Sequence, residues 1–177
     1  MRVIDDANGL GTIEKANNLT YSQDVKISTF TVTTKCLDDY NFSNIGFIKI
    51  DVEGHENSVL RGGSKTIEQN RCPILVECEN HHYPGATQEL FNLMHSRNYE
   101  GFFVLNNTIM DVKEFDPALY QNPSNMADWT NGWKLYGTYI NNFIFTSAEK
   151  FSEYKSACTS LLSSLVEDVH SVSATIN

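Results

Sequence analysis

Several features that would point to particular protein classes are scarce or absent in this chain of 177 residues. No apolar run approaches the ~20 residues needed to cross a bilayer. The first ten residues do not have the pattern of a signal peptide. Basic residues are few, with 13 Lys and Arg against 22 Asp and Glu, and they form no local patch. Because the charge of -9 repels phosphate backbones, no nucleic-acid partner is predicted. Since no spanning run is present, no membrane partner is predicted either.

Cysteine is also scarce, with only Cys36, Cys72, Cys78 and Cys158 in the chain. No two of them have the two-residue spacing of a zinc knuckle or a redox motif. Cys72 and Cys78 flank an apolar run, where a free cysteine commonly serves as a small core residue. We therefore predict a reduced, cytoplasmic protein without a metal site.

Strand patterns alternate with helix patterns from residue 45 onward. Ile45 to Val52 and Pro73 to Glu79 are apolar runs typical of buried strands. Amphipathic helices are predicted over 56–69 and 86–98, further strands over 102–105 and 140–146, and a last helix from 149 to about 169. This order predicts an α/β fold with right-handed crossovers and a parallel sheet.

The remaining segments have weaker patterns. Residues 1–24 are predicted to be irregular, and 106–138 to form a long aromatic-rich loop. Val25 to Thr34 alternates like a half-buried strand. We divide the chain into an N-terminal segment (1–24), an α/β domain (25–147) and a C-terminal helix with a disordered tail (148–177). Trp129, Trp133 and Tyr136 would either line an apolar substrate wall or hold the long loop against the core.

Both central strands end in acidic residues. Lys49, Asp51 and Glu53 alternate onto one face of the first strand, and Glu77 and Glu79 share a face of the second. In open α/β sheets, ligands bind outside the carboxyl ends of the strands. Like charges gathered there raise each other's pKa unless a cation compensates. Lys49, a cationic ligand, a substrate amine or a metal would meet that need.

Plainer interpretations stay open for each of these residues. Lys49 would simply pair with Asp51, and the glutamates would be solvated strand ends. His55 is either a base, a substrate contact or a helix cap. His81 and His82 point apart on an extended chain, so at most one of them would join a metal. One alternative function is therefore a metal-dependent hydrolase built on Asp51, Glu53, Glu77 and His81.

Four segments together resemble a known family. They are Cys36–Asp39 (CLDD), Ile45–Glu56 (IGFIKIDVEGHE), Val59–Gly63 (VLRGG) and Pro73–Glu77 (PILVE). They are similar to the pattern of the FkbM-type methyltransferases, which have a TLDD-like segment, a K-I-D-V-E-G-x-E strand, a V-L-x-G helix and a strand that begins with proline and ends in glutamate. Cys36 stands where the family usually has threonine. The resemblance covers roughly residues 33 to 146.

This resemblance implies a Rossmann-like class I methyltransferase sheet with an antiparallel last strand. It implies S-adenosylmethionine as the cofactor and a hydroxyl of a sugar or natural product as the methyl acceptor. Asp51 or Glu53 would remove the proton of the acceptor or orient it. Lys49, His55 and Glu77 would bind the substrate, and the acidic edge would favour the positive charges of the cofactor.

The family also needs a glycine-rich turn after its first strand, so that the backbone can approach the cofactor. Val3 to Gly11 is the only candidate, but Asp6-Ala7 lacks the required glycine, and Asp51 follows Asp5 by only 46 positions. A single βαβ unit takes ~30 residues. We therefore expect the first three strands to be missing, the cofactor-binding residues to be unidentifiable, and the open sheet edge to promote self-association. A non-catalytic remnant of the fold is the second alternative.

Overall fold

The computed structural model describes residues 1–5, 7–15, 26–126 and 136–174. Of the predicted aromatic wall, Trp129 and Trp133 lie outside these ranges, as does the end of the tail, whereas Tyr136 is described and is exposed. The strands are β1 (Arg2–Ile4), β2 (Ala7–Thr12), β3 (Ile27–Thr29), β4 (Ile48–Ile50), β5 (Ile74–Glu77), β6 (Tyr99–Leu105), β7 (Thr108–Asp111) and β8 (Asn142–Ser147). The helices are α1 (Glu56–Gly62), α2 (Ser64–Asn70), α3 (Ala86–Ser96), α4 (Pro117–Tyr120) and α5 (Phe151–Ala174).

A five-stranded mixed sheet carries the fold, with the strand order β4-β5-β8-β6-β7. Strands β4 and β5 are parallel, with Ile48 opposite Ile74. Strand β8, the last in sequence, lies between β5 and β6 and is antiparallel to both, as predicted. The α/β class is therefore confirmed. The predicted parallel sheet is wrong beyond β4 and β5, since the other pairings of this sheet are antiparallel among the described residues. The mixed sheet is consistent with a methyltransferase-like fold.

The helices pack their apolar faces against the two faces of the sheet. Leu60 of α1 and Leu90 and Met94 of α3 are fully buried against Ile74 and Val76 of β5. Rings from β8 and the neighbouring segments pack edge to face beside them, including Phe115 and Phe143 at 4.9 Å between centroids. On the other face, α5 packs its first turn onto β6, where the rings of Phe102 and Phe151 are 6.2 Å apart.

The prediction of an irregular N-terminal segment is wrong for the described residues. Strand β1 pairs antiparallel with β2 and β3 in a separate three-stranded sheet. The sequence of β2, ANGLGT, has low strand propensity. Its conformation depends on the pairing with β1, which sequence alternation does not reveal. The predicted strand over Val25 to Thr34 shortens to β3, and Val25 lies outside the described residues.

The single helix predicted over 56–69 is two short helices that meet at Gly63. A Cβ on Gly63 would lie 2.9 Å from Leu37 Cδ2, so glycine lets the Leu37–Tyr40 turn pack against the junction. Glycine also weakens a helix at this point. The helix predicted over 86–98 ends at Ser96, and Asn98 has the expected left-handed conformation with φ of 58°.

The predicted long loop over 106–138 contains regular structure. Strands β6 and β7 form a hairpin, with Leu105 opposite Thr108. Asn106 and Asn107 make its two-residue turn, with φ of 48° and 61°. Two consecutive positive φ values belong to the type I′ turn, which favours asparagine. The Asn-Asn pair was therefore the signal for the hairpin.

Candidate active site at the ends of the central strands

Lys49 and Asp51 form an exposed ion pair at the end of β4, with 2.7 Å between Lys49 Nζ and Asp51 Oδ2. The hydrogen bond to Asp51 raises the pKa of Lys49. The plain pairing that the sequence left open is therefore present. The same carboxylate is nevertheless one of the most accessible acids at this edge of the sheet.

Glu53 is bound differently from Asp51. Its Oε2 atom lies 3.2 Å from Nε2 of His82, whose side chain is only 5% exposed, whereas that of Glu53 is 18% exposed. The two predicted acids therefore have different surroundings: Asp51 faces solvent and Glu53 is tied to a buried imidazole. From the sequence, His82 was predicted only as an alternative metal ligand, although its position directly after the second acidic strand was a readable signal for this contact.

The segment Asp51–Glu56, which we call the acidic loop, is held by hydrogen bonds to its own last side chain and to a side chain of β2. Glu56 is 1% exposed, and its Oε1 accepts the N–H groups of Val52 (3.3 Å) and Gly54 (2.9 Å). Burial raises the pKa of Glu56. The Thr12 hydroxyl in β2 donates to the Glu53 carbonyl at 2.6 Å. The small N-terminal sheet thus supports the candidate site.

Glu77 and Glu79 at the end of β5 share one partner. Nδ2 of Asn141 donates to Oε1 of Glu77 (2.9 Å) and of Glu79 (3.0 Å). The Tyr139 hydroxyl donates to the second oxygen of Glu79 at 2.7 Å. Burial, followed by the negative charges of Asp51 and Glu79, raises the pKa of Glu77. Tyr139 and Asn141 were not predicted as site residues, because nothing in the local sequence links them to β5.

The other histidines are less closely joined to this group. His55 directly precedes α1, and its Nδ1 lies 3.6 Å from Oε2 of Glu14. Burial lowers the pKa of His81. Within the described ranges, no group of three or more His, Cys, Asp and Glu side chains is arranged to hold a metal ion. The metal-dependent hydrolase therefore has no geometric support there.

A polar cleft of about 350 Å³ opens beside the acidic loop, between α1 and the start of α3. It is lined by Glu14, Gly54, Asn57, Ser58, Arg61, Tyr83 and Glu89. Asn57 donates to the Tyr83 hydroxyl, and the Tyr83 hydroxyl donates to Glu89. Arg61 and Glu89 form an ion pair. The cleft is large enough for a small polar molecule next to the loop.

The described residues fit only the charged end of S-adenosylmethionine. Carboxylates at the ends of β4 and β5 suit its sulfonium and amino groups. A cradle for the nucleoside would need a strand, a glycine-rich turn and a helix in the main sheet. Residues 2–4 and 7–12 instead form the hairpin strands of the separate small sheet.

Comparison with known proteins identifies the family. Residues 5–100 match the model of the methyltransferase FkbM domain, which is more than half of the chain. The chain therefore belongs to the FkbM methyltransferase family, as the sequence motifs predict. The match includes β4, the acidic loop and β5, and it ends at the start of β6. No curated protein and no solved structure matches the chain.

Of the helices that the structure describes, none is long and apolar enough to cross a membrane.

Proposed function

We propose that this chain is part of an S-adenosylmethionine-dependent methyltransferase that acts on a hydroxyl group of a sugar or another small natural product. The family supports methyl transfer as the reaction class. The observation that carries the proposal is the position of Asp51. Its carboxylate is exposed at the end of β4, beside Lys49, and its charge contributes to the raised pKa of Glu77.

Methyl transfer to a hydroxyl requires removal of one proton. S-adenosylmethionine, when bound, supplies a methyl group on a positively charged sulfur. The acceptor oxygen loses its proton to a positioned base. Asp51 suits this role better than Glu53, because Glu53 is committed to His82. Lys49 and Glu77 flank Asp51 and would hold neighbouring oxygens of the acceptor, while His55 would contact the substrate from the start of α1.

A complete cofactor site needs further strands. Strand β4 is at the end of the five-stranded sheet, and its outer edge has no strand partner among the described residues. We propose that the three missing strands belong on this edge, supplied by a further segment or by another chain. Without them, the edge promotes self-association. Calorimetric titration of the chain with S-adenosylmethionine should give little or no heat of binding, and micromolar affinity would contradict the missing-strand proposal.

The test of the reaction itself uses the native protein, with its mature ends determined by mass spectrometry. It is incubated with methyl-labelled S-adenosylmethionine and a panel of sugars and hydroxylated natural products. Label should pass to at least one acceptor. Asp51→Asn should abolish the transfer, whereas Glu114→Gln, an exposed change in the β7–α4 connection, should leave it intact. Equal rates in the two variants would exclude Asp51 as the base.

A non-catalytic remnant of the fold is the second candidate. The observation that favours it is the pairing of β1 with β2 at the position of the only glycine-rich candidate. Absence of label transfer from a native protein whose chain begins at Met1 would support this candidate.

A further inference from the structure

We propose that His82 is the positioning residue of the acidic loop: it binds Glu53 and so fixes the backbone that presents Asp51 at the sheet edge. The functional part of this inference rests on the proposed methyl transfer. The geometric part does not, since it concerns only contacts within the chain.

The loops that follow β4 and β5 are in close contact. Gly54 and His82 follow two neighbouring parallel strands, β4 and β5. A Cβ on Gly54 would lie 2.8 Å from the Cβ of His82, so the side chain of His82 leaves the chain directly beside the bare backbone of Gly54. Real Cβ atoms do not approach so closely. The glycine of the family motif therefore makes room for His82.

The backbone of the acidic loop is strained at Glu53. Glu53 has φ of 54°, although it is neither glycine nor asparagine. The left-handed region is unfavourable for such a residue, because its Cβ crowds the following carbonyl oxygen. Such a conformation persists only where the surroundings over-determine it. The surroundings here are three side chains from three different elements: Thr12 on the Glu53 carbonyl, Glu56 on the Gly54 amide, and His82 on the Glu53 carboxylate.

The charged groups near His82 are the carboxylates of Glu53, Glu56 and Glu79, with His81 beside it. Burial alone would lower the pKa of His82, but the hydrogen bond to Glu53 and the charges of these acids raise it. Protonation of the imidazole would stabilise the ionised forms of these acids. Loss of the imidazole would remove the hydrogen bond that joins Glu53 to the segment after β5.

Together these contacts give the two acids separate tasks. Glu53 fastens the loop to the end of β5, and Asp51, two residues earlier, keeps its exposed position. Any substitution of His82 that removed the imidazole would release Glu53 and leave Asp51 without a fixed position. His82 thus acts on the reaction through Glu53, without a contact of its own to the acceptor.

The experiment follows the imidazole nitrogens of His82 by NMR in the full chain, with no methyl donor or acceptor present. Wild type should titrate above the ordinary histidine range, and Glu53→Gln should move the midpoint down by about one pH unit or more. His95→Gln, which removes an exposed histidine, is the matched control and should leave the His82 midpoint unchanged.

Hydrogen exchange of the Val52 and Gly54 amides reports the position of the loop. In both the His82→Gln and the Glu53→Gln variants, these two amides should exchange about tenfold faster than in wild type at pH 6. In wild type this protection should decline as the pH rises through the His82 midpoint, because the folded-state pKa is raised and the stabilisation belongs to the protonated form. The Glu53→Gln protein should show no such step.

If His82→Gln fails to fold, the Glu53→Gln variant still tests the inference, because it removes the carboxylate and retains the His82 imidazole. Unchanged exchange and an unchanged His82 midpoint in Glu53→Gln would overturn it. A negative label-transfer assay together with the expected NMR shifts would instead reject only the proposed reaction. The two failures are therefore distinguishable.

Discussion

Gly54 and His82 lie so close together that no side chain would fit at position 54: a Cβ built on Gly54 would be 2.8 Å from the Cβ of His82. Gly54 also has φ of +101°, a conformation that side chains rarely adopt. Glycine is therefore required there for two independent reasons. Because the positive φ and the close approach coincide, the change Gly54→Ala should destabilise the chain by more than either effect alone.

Two other glycines allow the steric effect and the effect of the positive φ to be compared. Gly85 has φ of +84° with open space around it, and Gly46 has open space without a positive φ. Gly46→Ala should be nearly neutral and Gly85→Ala should cost about 1 kcal/mol. Gly54→Ala should cost about 3 kcal/mol, since overpacking adds to the strain. Urea unfolding of the three variants measures the free energies, and equal costs at positions 54 and 85 would contradict the steric argument.

Glu56 should make stability depend on pH in the opposite sense to most carboxylates. Burial raises its folded-state pKa above the ordinary value of 4.5. The folded state then binds the proton more tightly than the unfolded state, so stability declines as the pH rises from 4.5 through the raised value. Glu56→Gln should remove this decline.

Glu56→Ala should also cost about 1–3 kcal/mol at every pH, because the amides of Val52 and Gly54 lose their acceptor. Urea unfolding between pH 4 and pH 8 tests both statements. A Gln variant that retained the wild-type decline would show that another group causes it.

Asp38, in the CLDD segment, should stabilise the start of α2. Its Oδ1 accepts the Thr66 N–H (2.9 Å) and the Thr66 hydroxyl (2.8 Å), and its Oδ2 accepts the Lys65 N–H (3.1 Å). Burial alone would raise the pKa of Asp38, but these bonds lower it. Asp38→Ala should cost about 1 kcal/mol at neutral pH, as for other lost helix caps.

The Asp38 contribution should be present above the ordinary pKa of 3.8 and be lost as the pH falls through the lowered folded value. Glu68→Gln, an exposed change within α2, is the control and should be nearly neutral. An Asp38→Ala cost that stayed constant down to pH 2 would argue against a charged cap.

Local sequence patterns predicted the strands and helices whose buried residues recur at a regular spacing. The strands β4, β5 and β8, the helix α3 and the gathering of acids at one edge all followed from apolar spacing and motifs. The contacts that position Glu53 did not follow, because Thr12 and His82 are 41 and 29 residues away from it. Sequence spacing carries no information on such pairings. The β6–β7 hairpin was different, since Asn106-Asn107 was a readable turn signal.

Gln121 should be a main anchor of the segment that follows β7. It is 6% exposed, and its Nε2 donates to the carbonyls of Cys78 (2.7 Å) and Ile140 (3.0 Å) while its Oε1 accepts the Asn80 N–H (2.9 Å). Gln121→Leu leaves these backbone groups without partners and should cost about 3 kcal/mol.

Gln88 on α3 is exposed and provides the control for Gln121. Gln88→Leu should change the free energy of unfolding by less than about 0.5 kcal/mol. The hydrogen-exchange rate of the Asn80 amide should also increase in the Gln121 variant only. Similar stabilities of the two variants would mean that α4 is held by apolar packing alone.

The open edge of β4 should cause concentration-dependent association of the isolated chain. Its backbone groups face no strand among the described residues, and Phe47 just before it is 55% exposed. Such an edge is a template for pairing with another strand, and charge at the edge is the usual protection. Phe47→Glu should therefore lower the average mass measured by sedimentation velocity. Leu119→Glu, at an equally exposed apolar residue on α4 (58%), should not. If both variants dissociated alike, general surface hydrophobicity would explain the association. If wild type stayed monomeric at every concentration, the edge would need no partner, and the argument for missing strands at β4 would lose its physical basis.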